Sequence, residues 1–156
     1  MRERISQAVK DAMKSGDRIR LSTLRLVQAA ITDRDIAARV DAQGRTTGRD
    51  RIDDAELLSL LQKMVKQRRE AADMYSGADR EELADKERTE IAIIEEFMPR
   101  QMTPAETEIA VSSVAEEIGA TSLKDMGRVM AALKERYAGQ MDFAKASALV
   151  KARLSA

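Results

Sequence analysis

The chain has 156 residues, with 27 Lys and Arg balanced by 27 Asp and Glu, and it contains neither His nor Cys. The side chain that most often acts as a general acid or base near neutral pH is therefore missing. Thiol nucleophiles, disulfides and thiolate metal sites are excluded as well. Because the net charge is zero, any contact with nucleic acid must come from a local basic patch.

The composition is typical of a helical protein whose core is aliphatic. Apolar residues make up 44% of the chain, charged residues 35% and aromatic residues only 3%. No apolar run approaches the roughly 20 residues that a membrane span needs, and the N-terminal segment has no secretory pattern. We find no nucleotide-binding glycine motif and no nucleophile elbow. The sequence therefore predicts a cytoplasmic protein without membrane contact, metal, cofactor or assigned catalytic residue.

Helical periodicity runs through the first hundred residues. It predicts four helices: two at about residues 3–14 and 17–39, a third that Asp53 caps and that ends at the turn "YSGAD", and a fourth at about residues 79–98. Ile5, Val9, Ala12 and Met13 form the expected buried face of the first helix. The loop "DAQGRTTGRDRID" is rich in Gly, Thr and charged residues, so we expect residues 41–50 to be poorly ordered.

Both prolines of the chain fall in "FMPRQMTPAE", which is the predicted domain boundary. Pro99 disfavours helix before it, whereas Pro104 suits the first turn of a helix capped by Thr103, with Glu106 completing a capping box. Three shorter helices follow, at about residues 104–118, 123–137 and 143–154. The predicted fold is all-α, with an N-terminal helical domain at residues 1–99 and a three-helix domain at residues 103–156.

The third and fourth helices each carry charge on the face that should be buried. Arg68 lies on the apolar stripe of one helix, and Glu87 and Glu90 lie on the stripe of the other. Since an unpaired charge is costly there, we expect Arg68 to contact Glu87 or Glu90 in a structural ion pair. An active-site carboxylate pair with an arginine clamp is the alternative.

The stretch "SLKDMGRVMAALKERYAGQMD" carries a glycine near the start of a helix. Its apolar stripe faces the core, while Lys124 and Arg128 lie on the opposite side with Gly127 on the flank of that side. Gly inside a helix costs about 0.5–1 kcal/mol relative to Ala, and core packing does not require it here. One interpretation is a flat surface, formed by small side chains, that a phosphodiester backbone can approach. The other is a helix that docks its small face against the first domain.

Four segments together resemble the YqeY family, over roughly residues 2–154. They are "LSTLRLVQAAI", "KMVKQRREAADMY", "GADREELADKERTEIAIIEEFMPRQM" and "KDMGRVMAALKERYAGQMD" with the following "ALVKARL". That family shares its fold with the tail of GatB, the B subunit of the glutamine-dependent aspartyl/glutamyl-tRNA amidotransferase. The tail is a helical appendage that helps to recognise the body of the tRNA.

The resemblance implies an RNA-binding architecture without a catalytic site, because the amidase subunit and the GatB cradle domain have no counterpart here. It implies, at family level only, carbon–nitrogen ligase activity with glutamine as amido-N-donor, inherited by homology from the amidotransferase. This chain departs from the family at Gln140, where a basic residue is common. The implied RNA-facing residues are Lys124, Gly127 and Arg128, then Lys134, Arg136, Gly139 and Gln140.

The expected function is that of a non-catalytic accessory protein that binds tRNA or associates with an amidotransferase. Its expected partners are tRNA and the amidotransferase or tRNA-synthetase machinery. The alternative is a protein–protein adaptor that uses the same flat face and makes no RNA contact.

Overall fold

The computed structural model describes all 156 residues and contains seven α-helices and no β-strand. The predicted all-α class is confirmed. The helices are α1 (Arg2–Ser15), α2 (Arg18–Ala38), α3 (Asp54–Gly77), α4 (Glu81–Glu95), α5 (Pro104–Ile118), α6 (Met126–Arg136) and α7 (Phe143–Leu154). A single 3-10 turn, Leu123–Asp125, precedes α6.

The chain divides into two compact units, Met1–Met98 and Pro99–Ala156. Helices α1 to α4 belong to the first unit, and α5 to α7 belong to the second. None of these helices is both long enough and apolar enough to cross a membrane.

The core of the first unit is aliphatic. Apolar residues at helical spacing on α2, α3 and α4 meet the apolar face of α1. Its fully buried side chains include those of Ile5, Leu24, Leu57, Leu61 and Ile94.

Two predictions about the first four helices need correction. Met13 is 56% exposed and does not lie in the core. Helix α4 begins at Glu81, because Asp79 adopts a left-handed backbone with φ of 61° that interrupts the helix.

The segment between α2 and α3 is held by polar contacts. Asp41 accepts hydrogen bonds from the backbone N–H groups of Gln43 and Arg45, each at 2.9 Å. Arg49 donates to the carboxylate of Glu56 at the start of α3. The prediction that residues 41–50 are poorly ordered did not include these hydrogen bonds.

The second unit is a small three-helix bundle. Val114, Val129, Leu133, Met141 and Val150 are at most 1% exposed and form the centre of its core.

The start of α5 has the predicted cap. The Thr103 hydroxyl accepts from the N–H of Glu106, and the Glu106 carboxylate accepts from the N–H of Thr103, both at 3.2 Å. Arg100 donates two hydrogen bonds to the same carboxylate, at 3.1 and 2.6 Å. Arg100 and this cap lower the pKa of Glu106 to about 2.

Candidate functional site

The turn before α6 positions the first candidate cation. The Asp125 carboxylate accepts from the N–H groups of Thr121, at 3.0 Å, and Ser122, at 3.4 Å. The hydrogen bond from Thr121, then the Arg128 guanidinium and the bond from Ser122, lower the pKa of Asp125 against the opposing effect of burial. Lys124 lies within this anchored turn, exposed and without a hydrogen-bond or ion-pair partner. Its ammonium group is therefore available to an external anion.

Gly127 lies in open space on the outer side of α6. It is exposed, and a Cβ built on it would meet no heavy atom within 4 Å. Its φ is not positive, so the backbone conformation does not require glycine either. Glycine lowers helix stability at this position, yet neither steric crowding nor backbone conformation requires it here.

Gly127 belongs to a row of small residues and lysines along the outer side of α6. Gly127, Ala131 and Lys134 follow helical spacing and are all exposed, and Lys124 precedes Gly127 by three residues. Lys134 also lacks a partner within the chain. We call the surface formed by Lys124, Gly127, Ala131 and Lys134 the α6 outer face.

The two candidate arginines differ from the lysines because each already has a partner. Arg128 Nη2 donates to Asp125 Oδ1 at 2.6 Å, although the arginine side chain remains 59% exposed. Arg136 makes a two-bond pair with Glu117, at 2.6 and 3.1 Å. That pair ties α6 to α5 and raises the pKa of Arg136.

The last two candidates hold the turn between α6 and α7. Gly139 is buried with φ of 73°, a conformation that favours glycine, and its carbonyl accepts from Gln101 Nε2 at 2.6 Å. The carbonyl of Gln140 accepts from the N–H of Met102 at 2.8 Å. Two backbone carbonyls thus fasten residues 99–102 to this turn. The sequence pattern does not indicate the contact between Gln101 and Gly139, because the two residues are 38 positions apart.

In the first unit, the structure brings Arg68 and Glu90 together. Arg68 Nε donates to Glu90 Oε2 at 2.9 Å, and the two side chains are 14% and 13% exposed. Arg68 Nη1 also donates to the carbonyl of Met64. Glu87 is half-buried and does not take part in this pair. The arrangement joins α3 to α4.

A second, partly buried ion pair in the first unit was not predicted. Arg2 donates to both carboxylate oxygens of Asp35, at 2.9 and 2.8 Å, and to the carbonyl of Ile52 at 3.0 Å. Asp35 also accepts from the N–H of Ile52 at 2.8 Å. Three segments of the chain, in α1, in α2 and before α3, therefore meet at one carboxylate.

No group of three or more acidic side chains is placed to hold a metal ion. The notable features are instead one unpartnered lysine face and several arginine–carboxylate pairs. Together they describe an all-helical protein of two compact units, in which the exposed basic groups on α6 stand out.

The chain belongs to the YqeY family, since the family model described as Yqey-like protein matches residues 2–154. It is also similar to two fungal proteins named altered inheritance of mitochondria protein 41, mitochondrial. It is 33% identical to the Pyrenophora tritici-repentis protein over 138 residues, which cover 85% of this chain and 71% of that protein. It is 28% identical to the Lachancea thermotolerans protein over 105 residues, or 67% of this chain and 51% of that protein.

The names of these relatives contradict the prediction of a cytoplasmic protein, because both are called mitochondrial. The prediction used the absence of a long apolar run and of a secretory segment. Those features do not distinguish the cytoplasm from the interior of an organelle. On this finding the prediction is wrong.

Proposed function

We propose that the chain is a non-catalytic accessory protein that binds tRNA through the α6 outer face. The observation that carries this proposal is the open space at Gly127 between two partner-free lysines. A phosphate backbone can come close to a helix where side chains are absent, and ammonium groups on either side of it neutralise phosphates.

The arrangement favours contact with a backbone over reading of bases. The α6 outer face carries no aromatic ring on which a base could stack, and its cations are lysines, which act as point charges. Recognition of this kind follows the shape and charge of the RNA. The resemblance to the GatB tail adds the expectation that the RNA is tRNA and that an amidotransferase is an associated partner.

The test measures the affinity of the whole chain for total tRNA by filter binding at 50 and 200 mM salt. We expect Lys124→Ala/Lys134→Ala to weaken binding at low salt and to flatten the log–log salt dependence by up to about two units, one for each phosphate contact. Lys145→Ala/Lys151→Ala on α7 is the matched control, because it removes two exposed and unpartnered lysines from the same unit.

Gly127→Gln separates a binding role from a packing role. Because the site is open, Gln should fold normally yet weaken tRNA binding through its bulk. Equal losses from both double variants would show only general charge attraction. Unchanged tRNA affinity in all variants would refute RNA binding here and favour the adaptor function.

A further inference from the structure

The N-terminal half of α2 carries an unusual excess of positive charge. Arg18, Arg20 and Arg25 lie there, and no acidic residue occurs between residues 18 and 32. Cations in the first turn oppose the helix dipole, which favours acidic groups at that end. Arg20 is paired with Glu96, but Arg18 and Arg25 have no partner. The chain thus keeps two unpaired arginines on this half of α2, and the charge of Arg18, in the first turn, opposes the helix dipole.

Apolar side chains lie beside these two arginines. Leu26 is 52% exposed and Ile19 is 51% exposed. A shallow groove of about 460 Å³ is lined by Arg18, Leu21, Ser22, Arg25 and Leu26. Arg18 and Arg25 are seven positions apart, which places them about 10.5 Å apart along the helix axis, or two turns. We call this surface the α2 groove.

We propose that the α2 groove binds an acidic amphipathic helix of a partner protein. Two carboxylates two turns apart on such a helix match the spacing of Arg18 and Arg25, and its apolar residues cover Leu21 and Leu26. Charge complementarity provides orientation and association rate, while the aliphatic groups provide area to bury. The groove places Leu21 and Leu26 between its two arginines, and this apolar area favours a peptide with apolar side chains over a phosphate backbone. This proposal is independent of RNA binding by α6.

The test selects peptides from a displayed library of random 16-residue sequences on the immobilised full-length protein. We expect the enriched peptides to be acidic, with apolar residues at helical spacing. Arg18→Glu/Arg25→Glu should bind the best selected peptide about tenfold more weakly at low salt, because two attractions become repulsions. Leu26→Gln should weaken binding without any change of charge.

The charge-reversal variant should fold, because Arg18 and Arg25 are exposed and unpartnered and because a glutamate in the first turn, at position 18, is favoured by the helix dipole. Its melting temperature should equal or exceed that of the wild type. Lys63→Glu/Lys66→Glu on α3 is the control, since it makes the same charge change at two exposed, unpartnered lysines. Equal loss in this control would show that net charge alone governs binding and would overturn the proposal.

Other outcomes also overturn it. Enrichment of neutral or basic peptides, or of none, would mean that the groove does not bind an acidic helix. Loss of tRNA affinity in Arg18→Glu/Arg25→Glu, with peptide binding unaffected, would show that the α2 groove binds RNA. A concentration-dependent dimer in sedimentation, abolished by the same variant, would assign the face to a second copy of the chain.

Discussion

Asp35→Asn tests the buried pair that joins Arg2, Asp35 and Ile52. The Arg2 guanidinium, helped by the N–H of Ile52, lowers the pKa of Asp35 from 3.8 to about 2, against the opposing effect of burial. A depressed carboxylate pKa stabilises the folded state above the unfolded-state value. That stability disappears as pH falls through the folded-state value.

The magnitude follows from the shift. At about 1.4 kcal/mol for each unit, a shift from 3.8 to about 2 corresponds to roughly 2 kcal/mol of folding stability at pH 7. The Asp35 side chain is only 15% exposed, so solvent screening reduces this value modestly. By linkage, about half of the contribution remains at pH 3, and little remains at pH 2.

The assay is urea unfolding of the wild type and Asp35→Asn at pH 7, 5, 4 and 3, followed by circular dichroism. We expect a stability difference of about 2 kcal/mol at pH 7 and 5, narrowing at pH 4 and below. Faster hydrogen exchange at the Ile52 amide should accompany it, because that N–H loses an ionised acceptor. Asp33→Asn is the control, because Asp33 is exposed on the same helix and unpartnered.

Two results would refute this reasoning. A difference that stays constant from pH 7 to pH 3 would show that Asn disturbs packing and that the charge of Asp35 contributes nothing. Equal effects of Asp33→Asn and Asp35→Asn would show that the pair with Arg2 is not formed in solution.

Three further predictions concern single side chains. Glu90→Gln should lower the free energy of unfolding by about 3 kcal/mol, the lower end of the usual range for breaking a buried ion pair, because both side chains keep some contact with solvent. Glu87→Gln should cost little, and equal losses would contradict the pairing. Gly127→Ala should raise the free energy of unfolding by up to about 1 kcal/mol, and a loss would point to a packing role. Gln101→Ala should accelerate hydrogen exchange at the Met102 amide, because the segment before α5 loses its 2.6 Å hydrogen bond to the carbonyl of Gly139. Unchanged exchange would show that the Met102 hydrogen bond holds this segment without Gln101.

Local patterns in the sequence were the most informative about helix ends. Thr103 and Glu106 form a capping box because their spacing of three brings each side chain to the backbone of the other. Gly119 ends α5 in the left-handed conformation that glycine adopts at little cost. Such signals depend on neighbours along the chain, so the sequence alone is enough to identify them.

Contacts between distant segments were predictable only where burial forced them. Arg68 lies on an apolar stripe, where an unpaired charge is costly, so a carboxylate partner was expected. Glu90 was one of two candidates on the adjoining helix. Arg2 and Asp35 lie 33 positions apart, and neither interrupts an obvious apolar stripe. Periodicity therefore gave no reason to join them, although their pair is among the least exposed in the first unit.

For the candidate RNA surface, periodicity predicts which residues are exposed, but only the contacts in the structure show which cations already have a partner. Helical periodicity placed Gly127 and its neighbouring cations on the outer side of α6, but it gave Lys124 and Arg128 equal standing. In the structure, Arg128 is held by Asp125, whereas Lys124 and Lys134 are free. To bind a phosphate, Arg128 must exchange one acceptor for another, so part of its interaction energy is cancelled. The lysines give up only water, so under the proposed RNA binding we expect Lys124 and Lys134 to contribute more to phosphate binding than Arg128.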